Sequence, residues 1–284
     1  MQRRPYGNTG EQLSLIGMGG IVIAGLEQEE ANRIVADAVE RGVNYFDVAP
    51  TYGNAEERLG PALAPYRDRV FLACKTAERD AEGSARELET SLRRLQTDHV
   101  DLYQLHGLIT PEDVERVFGP GGAIETLVAA KRQGKARFLG FSAHSEEAAL
   151  ECLTRFPFDS ILFPTNFVCW YHGFGPRVLE AARQRGAARL ALKAMARTNW
   201  PAGGRKLDKC WYEPFQNREE AEAALRWTLS QDVTAAVPPG EPPLFAMALD
   251  IAERFRPLTA EEAEELRRKA QTLEPIFAPK PRQS

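Results

Sequence analysis

Four side chains that could together move a proton occur at or just after the ends of predicted strands. Asp47 and Tyr52 lie in YFDVAPTYG, Lys75 in VFLACKT, and His106 in VDLYQLHG. A free phenol has a pKa near ~10, and a cation held beside it lowers that pKa by favouring phenolate. Lys75 could supply the cation, Asp47 could keep it protonated, and His106 could hydrogen-bond the phenol or a substrate oxygen. Each residue alone also fits a structural role. The case for catalysis depends on their being placed together.

The composition is that of a globular protein with a small-molecule substrate. The chain has 284 residues, 43% hydrophobic and 27% charged, with a formal net charge of −4. That length suits one α/β barrel, so we expect a single domain over residues 1–284. The charge predicts no general attraction for nucleic acid or anionic membranes.

Cysteine usage and hydropathy give further expectations. The four cysteines, Cys74, Cys152, Cys169 and Cys210, have no CxxC spacing, so we predict reduced thiols and no metal site. No apolar run approaches the roughly 18 residues that span a bilayer, and the N-terminal segment has no hydrophobic signal core. We therefore expect a cytoplasmic protein that does not bind membranes.

Strand and helix patterns alternate along the chain. After a predicted hairpin through Tyr6–Gly10, short apolar runs typical of buried parallel strands alternate with amphipathic segments. The predicted strands are residues 13–20, 45–50, 69–76, 100–107, 137–144, 159–167, 188–195 and 234–240. The predicted helices are residues 29–42, 56–66, 84–95, 125–135, 146–156, 176–186, 219–231 and 243–255. Eight of each is the number that a (β/α)8 TIM barrel requires.

Two terminal features complete the fold prediction. Residues 259–273 predict a capped, charged C-terminal helix, and residues 278–284 look disordered. A doubly wound sheet is the alternative architecture, but GMGG at Gly17 to Gly20 lacks the GxGxxG spacing of a dinucleotide-binding turn. In a barrel, chemistry lies at the carboxyl ends of the strands, which would bring the four candidate residues together.

Several ordered motifs resemble the aldo-keto reductase superfamily. They are FDVAPTYG followed by EERLG, then ACKT, YQLHG and RFLGFS, and the resemblance covers nearly the whole chain. It implies an NAD(P)-dependent (β/α)8 oxidoreductase for a small carbonyl or sugar-like substrate. It also implies Tyr52 as general acid and base, tuned by Lys75 and Asp47, with His106 orienting the carbonyl.

The resemblance further implies a set of cofactor-binding residues. They are Gly20, Asp47, Ser142, Asn166, Leu192, Lys193 and Gly240. Ser142 would bind the nicotinamide amide, although Ala143 replaces the usual Asn beside it. Asn166 would reach the same amide or serve only as a turn residue, Leu192 would pack on the nicotinamide, and Lys193 would approach the cofactor phosphates.

The segment VPPGEPPLF departs from the family pattern near the expected cofactor 2′ position. It carries Glu241 and no adjacent base, and a carboxylate there would repel a 2′-phosphate. We therefore expect NADH to be preferred, or weak discrimination, unless Arg197 or Arg205 approaches from elsewhere.

Aromatic residues concentrate in two long loops after the sixth and seventh predicted strands. Either they line a substrate pocket or they pack the loops against the barrel rim. The residues are Trp170, Tyr171, His172, Trp200, Trp211 and Tyr212. His144 and His172 have no partner that spacing identifies.

Three functions remain open from the sequence. The first is the reductase. The second is a Schiff-base lyase with Lys75 as nucleophile, which a paired Asp47 would disfavour because it keeps the amine protonated. The third is a cofactor-binding regulatory module with little turnover. The oligomeric state is not predicted.

Overall fold

The computed structural model describes residues 1–279. The strands are β1 (Arg3–Pro5), β2 (Gln12–Ser14), β3 (Gly17–Gly19), β4 (Tyr45–Asp47), β5 (Phe71–Thr76), β6 (Val100–Leu108), β7 (Ala136–Ala143), β8 (Ser160–Pro164), β9 (Ala188–Leu192), β10 (Ala196–Asn199), β11 (Tyr212–Pro214) and β12 (Ala235–Val237). The α-helices are α1 (Gln28–Glu40), α2 (Ala55–Leu63), α3 (Ala81–Leu95), α4 (Pro111–Phe118), α5 (Ala123–Arg132), α6 (Glu146–Arg155), α7 (Phe167–Tyr171), α8 (Pro176–Gln184), α9 (Arg218–Ser230), α10 (Pro242–Glu253) and α11 (Ala260–Ala270). Short 3-10 helices cover Gly20–Val22 and Ala64–Arg69.

Eight parallel strands form the barrel, which confirms the predicted fold class. Their order is β3-β4-β5-β6-β7-β8-β9-β12. Ile16 and Ala236 form a parallel bridge that joins the first strand to the last. The Ala236 amide also donates to the Leu15 carbonyl at 2.8 Å, so the sheet closes on itself. Closure brings the carboxyl ends of all eight strands to one rim.

The hairpin and the C-terminal helix were also predicted correctly. β1 and β2 pair antiparallel, with Arg4 opposite Leu13. α11 begins with a capping box in which Thr259 and Glu262 satisfy each other's backbone N–H groups. Of the tail predicted to be disordered, residues 280–284 lie outside the described residues.

The barrel interior and the helix layer are both apolar. Inside the barrel, Tyr45, Phe71, Leu102 and Leu162 pack together with other strand residues. A larger cluster lies between the strands and the helices. Within residues 1–279, no helix is long and apolar enough to cross a membrane.

Three local features differ from the sequence prediction. The single strand predicted over residues 13–20 divides, because β2 pairs in the hairpin and only β3 enters the barrel. The loops after β6 and β8 contain α4 and the five-residue α7. The loop after β9 folds back as a hairpin of β10 and β11, with Asn199 opposite Tyr212.

Candidate active site

Asp47 is the last residue of β4 and lies inside the barrel rim, 2% exposed. Its Oδ1 accepts a hydrogen bond from Lys75 Nζ on the neighbouring β5. Its Oδ2 accepts from the Tyr45 hydroxyl at 3.0 Å and from Gln104 Nε2 at 2.9 Å. Both oxygens are therefore occupied, and the carboxylate is fixed as the anchor of Lys75 rather than free to act as a base.

Lys75 is held beneath the rim by this pair. It is 1% exposed, and its Nζ also donates to the Val48 carbonyl at 3.3 Å. Burial alone would lower the pKa of Lys75, but attraction to Asp47 and to the Tyr52 oxygen outweighs it and raises the pKa above its usual value. The ammonium therefore stays protonated at neutral pH.

Tyr52 lies above Lys75 in the turn that follows β4. Lys75 Nζ is 5.2 Å from the centroid of the Tyr52 ring. Burial raises the pKa of Tyr52, the charge of Lys75 lowers it, and the charge of Asp47 raises it further. The net effect is a pKa above that of a free phenol. Lys75 thus lowers this pKa as the sequence suggested, but desolvation has the larger effect. The phenol is a proton donor at neutral pH, not a phenolate.

His106 faces Tyr52 from β6. The two ring centroids are 5.7 Å apart and the rings are at 85°, an edge-to-face contact. Burial, reinforced by the positive charges of Lys75, Arg79 and Lys193, lowers the pKa of His106 to about 3. The imidazole is therefore neutral at physiological pH and can donate one N–H without carrying charge.

A bulge in β6 next to β7 helps to place His106. The β6–β7 register shifts between Leu105 and Leu108, and Gly107 has a φ of 62°. The Gly107 amide leaves the strand ladder and donates to Ser142 Oγ at 2.8 Å. Ser142 thus ties the segment carrying His106 to the end of β7.

The structure brings together all four residues that the sequence singled out, and it adds two that were missed. Tyr45 and Gln104 complete the hydrogen bonding of Asp47. Each stands two positions before a predicted residue on the same strand, Tyr45 before Asp47 and Gln104 before His106. Since strand residues two apart share a face, that spacing was a usable signal.

The glycines predicted to bind cofactor are required by close packing of the protein itself. A Cβ on Gly20 would lie 2.6 Å from Val48 Cγ2, and one on Gly240 would lie 2.4 Å from Ile21 Cγ2. Both distances are too short for any side chain. The packing accounts for these glycines whether or not a ligand approaches them.

The predicted nicotinamide contacts are only partly available. Asn166 is buried as the N-cap of α7, and its Oδ1 accepts from the Cys169 amide at 2.9 Å. This favours the turn-residue interpretation, although the Asn166 amide group keeps an N–H to donate. Leu192 is partly buried at the end of β9. The Ser142 oxygen accepts from Gly107, which leaves its own proton free for a ligand.

The end of the barrel near β12 carries Glu241 as expected, and a backbone amide rather than a basic side chain bonds it. Arg197 pairs with Glu213, and Arg205 bonds the carbonyl of Leu207. Instead, the Lys209 amide donates to Glu241 Oε1 at 2.7 Å, and Lys209 Nζ donates to the Val22 carbonyl at 2.7 Å. The β10–β11 loop therefore bridges the ends of β3 and β12.

The helix that follows Glu241 is a poor phosphate site. α10 begins with Pro242 and Pro243, which have no N–H groups. The Phe245 amide already donates to the Glu241 carbonyl. A helix N-terminus binds anions through free amides, and this one has lost two of them.

A nicotinamide dinucleotide fits the donor set that remains at the rim. A nicotinamide carboxamide requires hydrogen-bond donors and acceptors. The rim offers the Ser142 hydroxyl proton and a buried Nε2 of His144 that no described residue bonds. His144, unassigned from the sequence, follows β7 one position after Ala143. Of the described side chains, no group of three His, Cys, Asp or Glu converges as a metal site.

Most of the loop aromatics pack the rim together. Tyr171 accepts from Trp227 Nε1 at 3.2 Å, and Trp200 Nε1 donates to the Cys210 carbonyl. His172 bonds the Ala270 carbonyl at 3.1 Å. Trp211 differs because it is 47% exposed.

The segment after α11 reaches the same rim. Phe277 stacks on His144 at 5.4 Å between ring centroids and contacts Trp211 at 5.9 Å. Beside it lies a cavity of about 740 Å³ that includes Ile109, His144 and Phe174 in its wall. The cavity adjoins the proton-transfer residues but is not lined by them.

The family comparison covers most of the barrel. Residues 15–198 match the model of the aldo/keto reductase family. YhdN, an aldo-keto reductase of Bacillus subtilis, is 32% identical over 166 residues, 52% of this chain and 48% of that protein. L-galactose dehydrogenase of Arabidopsis thaliana is 30% identical over 177 residues, 55% of this chain and 53% of the other. The alignments thus span about half the length of these relatives.

A structural comparison extends over nearly the whole chain. The holo form of aldo-keto reductase AKR11C1 from Bacillus halodurans superposes with a TM-score of 0.73 at 25% sequence identity. The superposition covers 95% of this chain and 96% of that one. The alignment therefore extends well beyond the residues that match the family model.

Proposed function

The chain belongs to the aldo/keto reductase family, and from that membership we propose that it reduces a small carbonyl or sugar-like substrate with a nicotinamide cofactor, or oxidises the corresponding alcohol. The observation that carries the proposal is the arrangement of one protonated phenol between a buried ammonium and a neutral imidazole. Lys75 Nζ is 5.2 Å from the Tyr52 ring centroid, and the His106 ring centroid is 5.7 Å from it.

In the proposed reduction, Tyr52 donates its proton to the carbonyl oxygen. A phenol with a raised pKa releases that proton only if the resulting phenolate is stabilised, and Lys75 is positioned to do so. Asp47 holds the ammonium in place, and a neutral His106 donates an N–H to the oxygen on which negative charge develops. In the reverse direction the phenolate accepts the alcohol proton.

The cofactor would supply the hydride that reaches the carbonyl carbon. We propose that Gly20, Asp47, Ser142, Asn166, Leu192 and Gly240 form or border its site. Lys193 lies where an anion of either cofactor or substrate could reach it. Substrate class, cytoplasmic location and the absence of nucleic-acid and membrane partners remain predictions.

The reductase is tested by following reduced-nicotinamide absorbance with a panel of aldehydes, ketones and aldoses. We expect saturable, carbonyl-dependent oxidation of NADH or NADPH. Firm cofactor binding without turnover on any carbonyl would favour the regulatory module instead.

Borohydride trapping separates the reductase from the lyase. A Schiff base requires a neutral Lys75 amine, whereas the paired Lys75 is protonated. We expect no labelled Lys75 peptide after incubation with carbonyl substrate and borohydride. A stoichiometric adduct on Lys75 would support the lyase.

A further inference from the structure

Lys193 has an unusual backbone conformation directly after β9. Within residues 1–279, Gln96 and Lys193 are the non-glycine residues with positive φ, at 54° and 60°. Gln96 ends α3, where a left-handed residue is common. Lys193 ends no helix, and this conformation is strained for an L-residue. Strained non-glycine residues cluster at functional sites, which draws attention to the Lys193 side chain.

The Lys193 side chain is clamped between two aromatic rings. Its Nζ lies 5.2 Å from the ring centroid of Trp211 and 5.4 Å from that of Tyr212. Such contacts orient a cation but do not neutralise it. Among the residues that the structure describes, no carboxylate or carbonyl oxygen bonds this ammonium, in contrast to Lys75 and Lys209.

The groups around Lys193 supply no negative charge. Burial raises the pKa of Cys169 on α7 and of Cys210 before β11, so both thiols are neutral. Burial likewise keeps the pKa of Tyr212 well above that of a free phenol, so this ring is neutral too. Burial lowers the pKa of His144 to about 3. Burial lowers the pKa of Lys193 itself to about 8, which leaves it mostly protonated at neutral pH.

The strand ends beside Lys193 add positive charge. Lys75 contributes to lowering the pKa of Lys193, and Lys193 contributes to lowering that of His106. The Asp47 carboxylate is already occupied by Lys75, Tyr45 and Gln104. The rim therefore holds an uncompensated cation within electrostatic range of the proton-transfer groups.

Resting on the carbonyl reduction proposed above, we infer that Lys193 is a specificity residue that binds an anionic group of the substrate, so that preferred substrates are carbonyl compounds bearing a carboxylate. The cofactor phosphates, which the sequence suggested as its partner, are separated from the nicotinamide by a ribose. An anion bound by Lys193 would lie within electrostatic range of His106 and Lys75, beside the proton-transfer groups. Substrate carboxylate would supply the missing counter-charge.

The test compares 4-carboxybenzaldehyde with its neutral analogue methyl 4-formylbenzoate. In the holoenzyme, Lys193→Met should lower kcat/KM for the acid about 10- to 100-fold, the loss expected for a charge-assisted hydrogen bond, and change the ester less than about twofold. Lys193→Arg should restore much of the activity on the acid. Lys206→Met removes an exposed lysine of the same loop and should change neither substrate.

Three results would overturn the inference. The first is an equal loss of kcat/KM for both aldehydes in Lys193→Met, and the second is an unchanged preference of that variant for the acid. The third is a Lys193→Met variant whose affinity for NADH falls while its substrate preference is kept. The last result would assign Lys193 to the cofactor phosphates. NADH affinity is measured by fluorescence titration of each variant.

A second arm does not depend on turnover. Binding of 4-carboxybenzyl alcohol and of its methyl ester is measured by the change in tryptophan fluorescence of wild type and Lys193→Met. We expect wild type to bind the acid at least about tenfold more tightly than the ester and the variant to lose that preference. If wild type reduced no carbonyl of the panel, the reductase proposal would fail while this arm still decided the role of Lys193. Equal affinities of the wild type for the acid and for the ester would refute this role of Lys193.

Discussion

Tyr52 experiences two opposing effects, and their balance defines its chemistry. Burial favours the neutral phenol, and Lys75 favours phenolate, with burial the larger effect. The sequence indicated the cation but not the extent of desolvation, because burial depends on how the loops close over the rim. For Tyr45 and Gln104, the two-residue spacing indicated the shared strand face, but the contact of Gln104 with Asp47 also required the register of β4, β5 and β6.

At the level of single residues, the two buried histidines predict that the folded chain loses stability in acid. Burial lowers the pKa of both His106 and His144 from 6.5 to about 3 in the folded chain. Between these pH values the unfolded chain binds more protons, so the free energy of unfolding must fall as pH decreases from about 6.5 towards 3. We expect urea midpoints to decrease from pH 7 to pH 5, and to decrease less in His144→Asn.

The matched control for this prediction is His99→Asn. His99 lies at the surface beside Asp98, with a side chain 36% exposed. Its variant removes an imidazole that is not buried, and so measures the effect of losing a surface histidine. A His144→Asn variant with the same pH slope as wild type would contradict the burial argument.

At the level of elements, the sequence predicted the repeating strand-helix pairs and missed the elements inserted between them. The eight strand-helix pairs follow from apolar runs and amphipathic segments. The inserted helix α4 begins with a capping box, which was a usable signal. α7 has only five residues, too few to show a helical period. β10 and β11 are separated by twelve residues, and hydrogen bonds of Lys209 and Trp200 hold the loop between them. The one apolar run divides into β2 and β3 because its two halves pair with different strands, β2 with β1 and β3 with β4.

Docking of α11 depends on one arginine of α9. Arg226 is 5% exposed, donates to the carbonyls of Arg256 and Pro257, and makes two 2.9 Å contacts with Glu262. Arg226→Met should therefore lower the free energy of unfolding by about 1–3 kcal/mol, as expected for loss of charge-assisted bonds from a buried donor. The measurement is urea denaturation at pH 7.

Arg267→Met serves as the control within α11. Arg267 pairs with Glu264 at i,i+3, and its side chain is 54% exposed. Its loss should leave the urea midpoint nearly unchanged. Equal effects of the two substitutions would show that α11 is not anchored through Arg226.

At the level of the whole molecule, barrel closure determines what the sequence could predict about the site. Once the strand count predicted a barrel, the four strand-end residues had to meet at one rim, and they do. The cofactor side was less predictable because it depends on loops. Arg197 and Arg205, the bases considered for this end of the barrel, bond groups within their own hairpin, and the Lys209 backbone amide bonds Glu241.

The same rim predicts the choice of cofactor. Glu241 and the two prolines that open α10 disfavour an additional phosphate at this end of the barrel. We expect fluorescence titration to show NADH bound at least as tightly as NADPH. Glu241→Gln keeps the acceptor for the Lys209 amide, removes the charge, and should raise NADPH affinity about threefold to tenfold.

Glu265→Gln, a substitution at an exposed position on α11, is the control for charge and should leave both affinities unchanged. A wild-type preference for NADPH of more than about tenfold would show that the argument from Glu241 and α10 is wrong.

The central claim is that Tyr52 exchanges the proton with the substrate oxygen. It is tested most directly by Tyr52→Phe, which removes one hydroxyl and keeps the ring between Lys75 and His106. We predict that the variant binds NADH with an affinity within about twofold of wild type and loses about 100-fold or more in kcat on the best carbonyl of the panel. Near-normal kcat in a folded Tyr52→Phe variant would contradict the account.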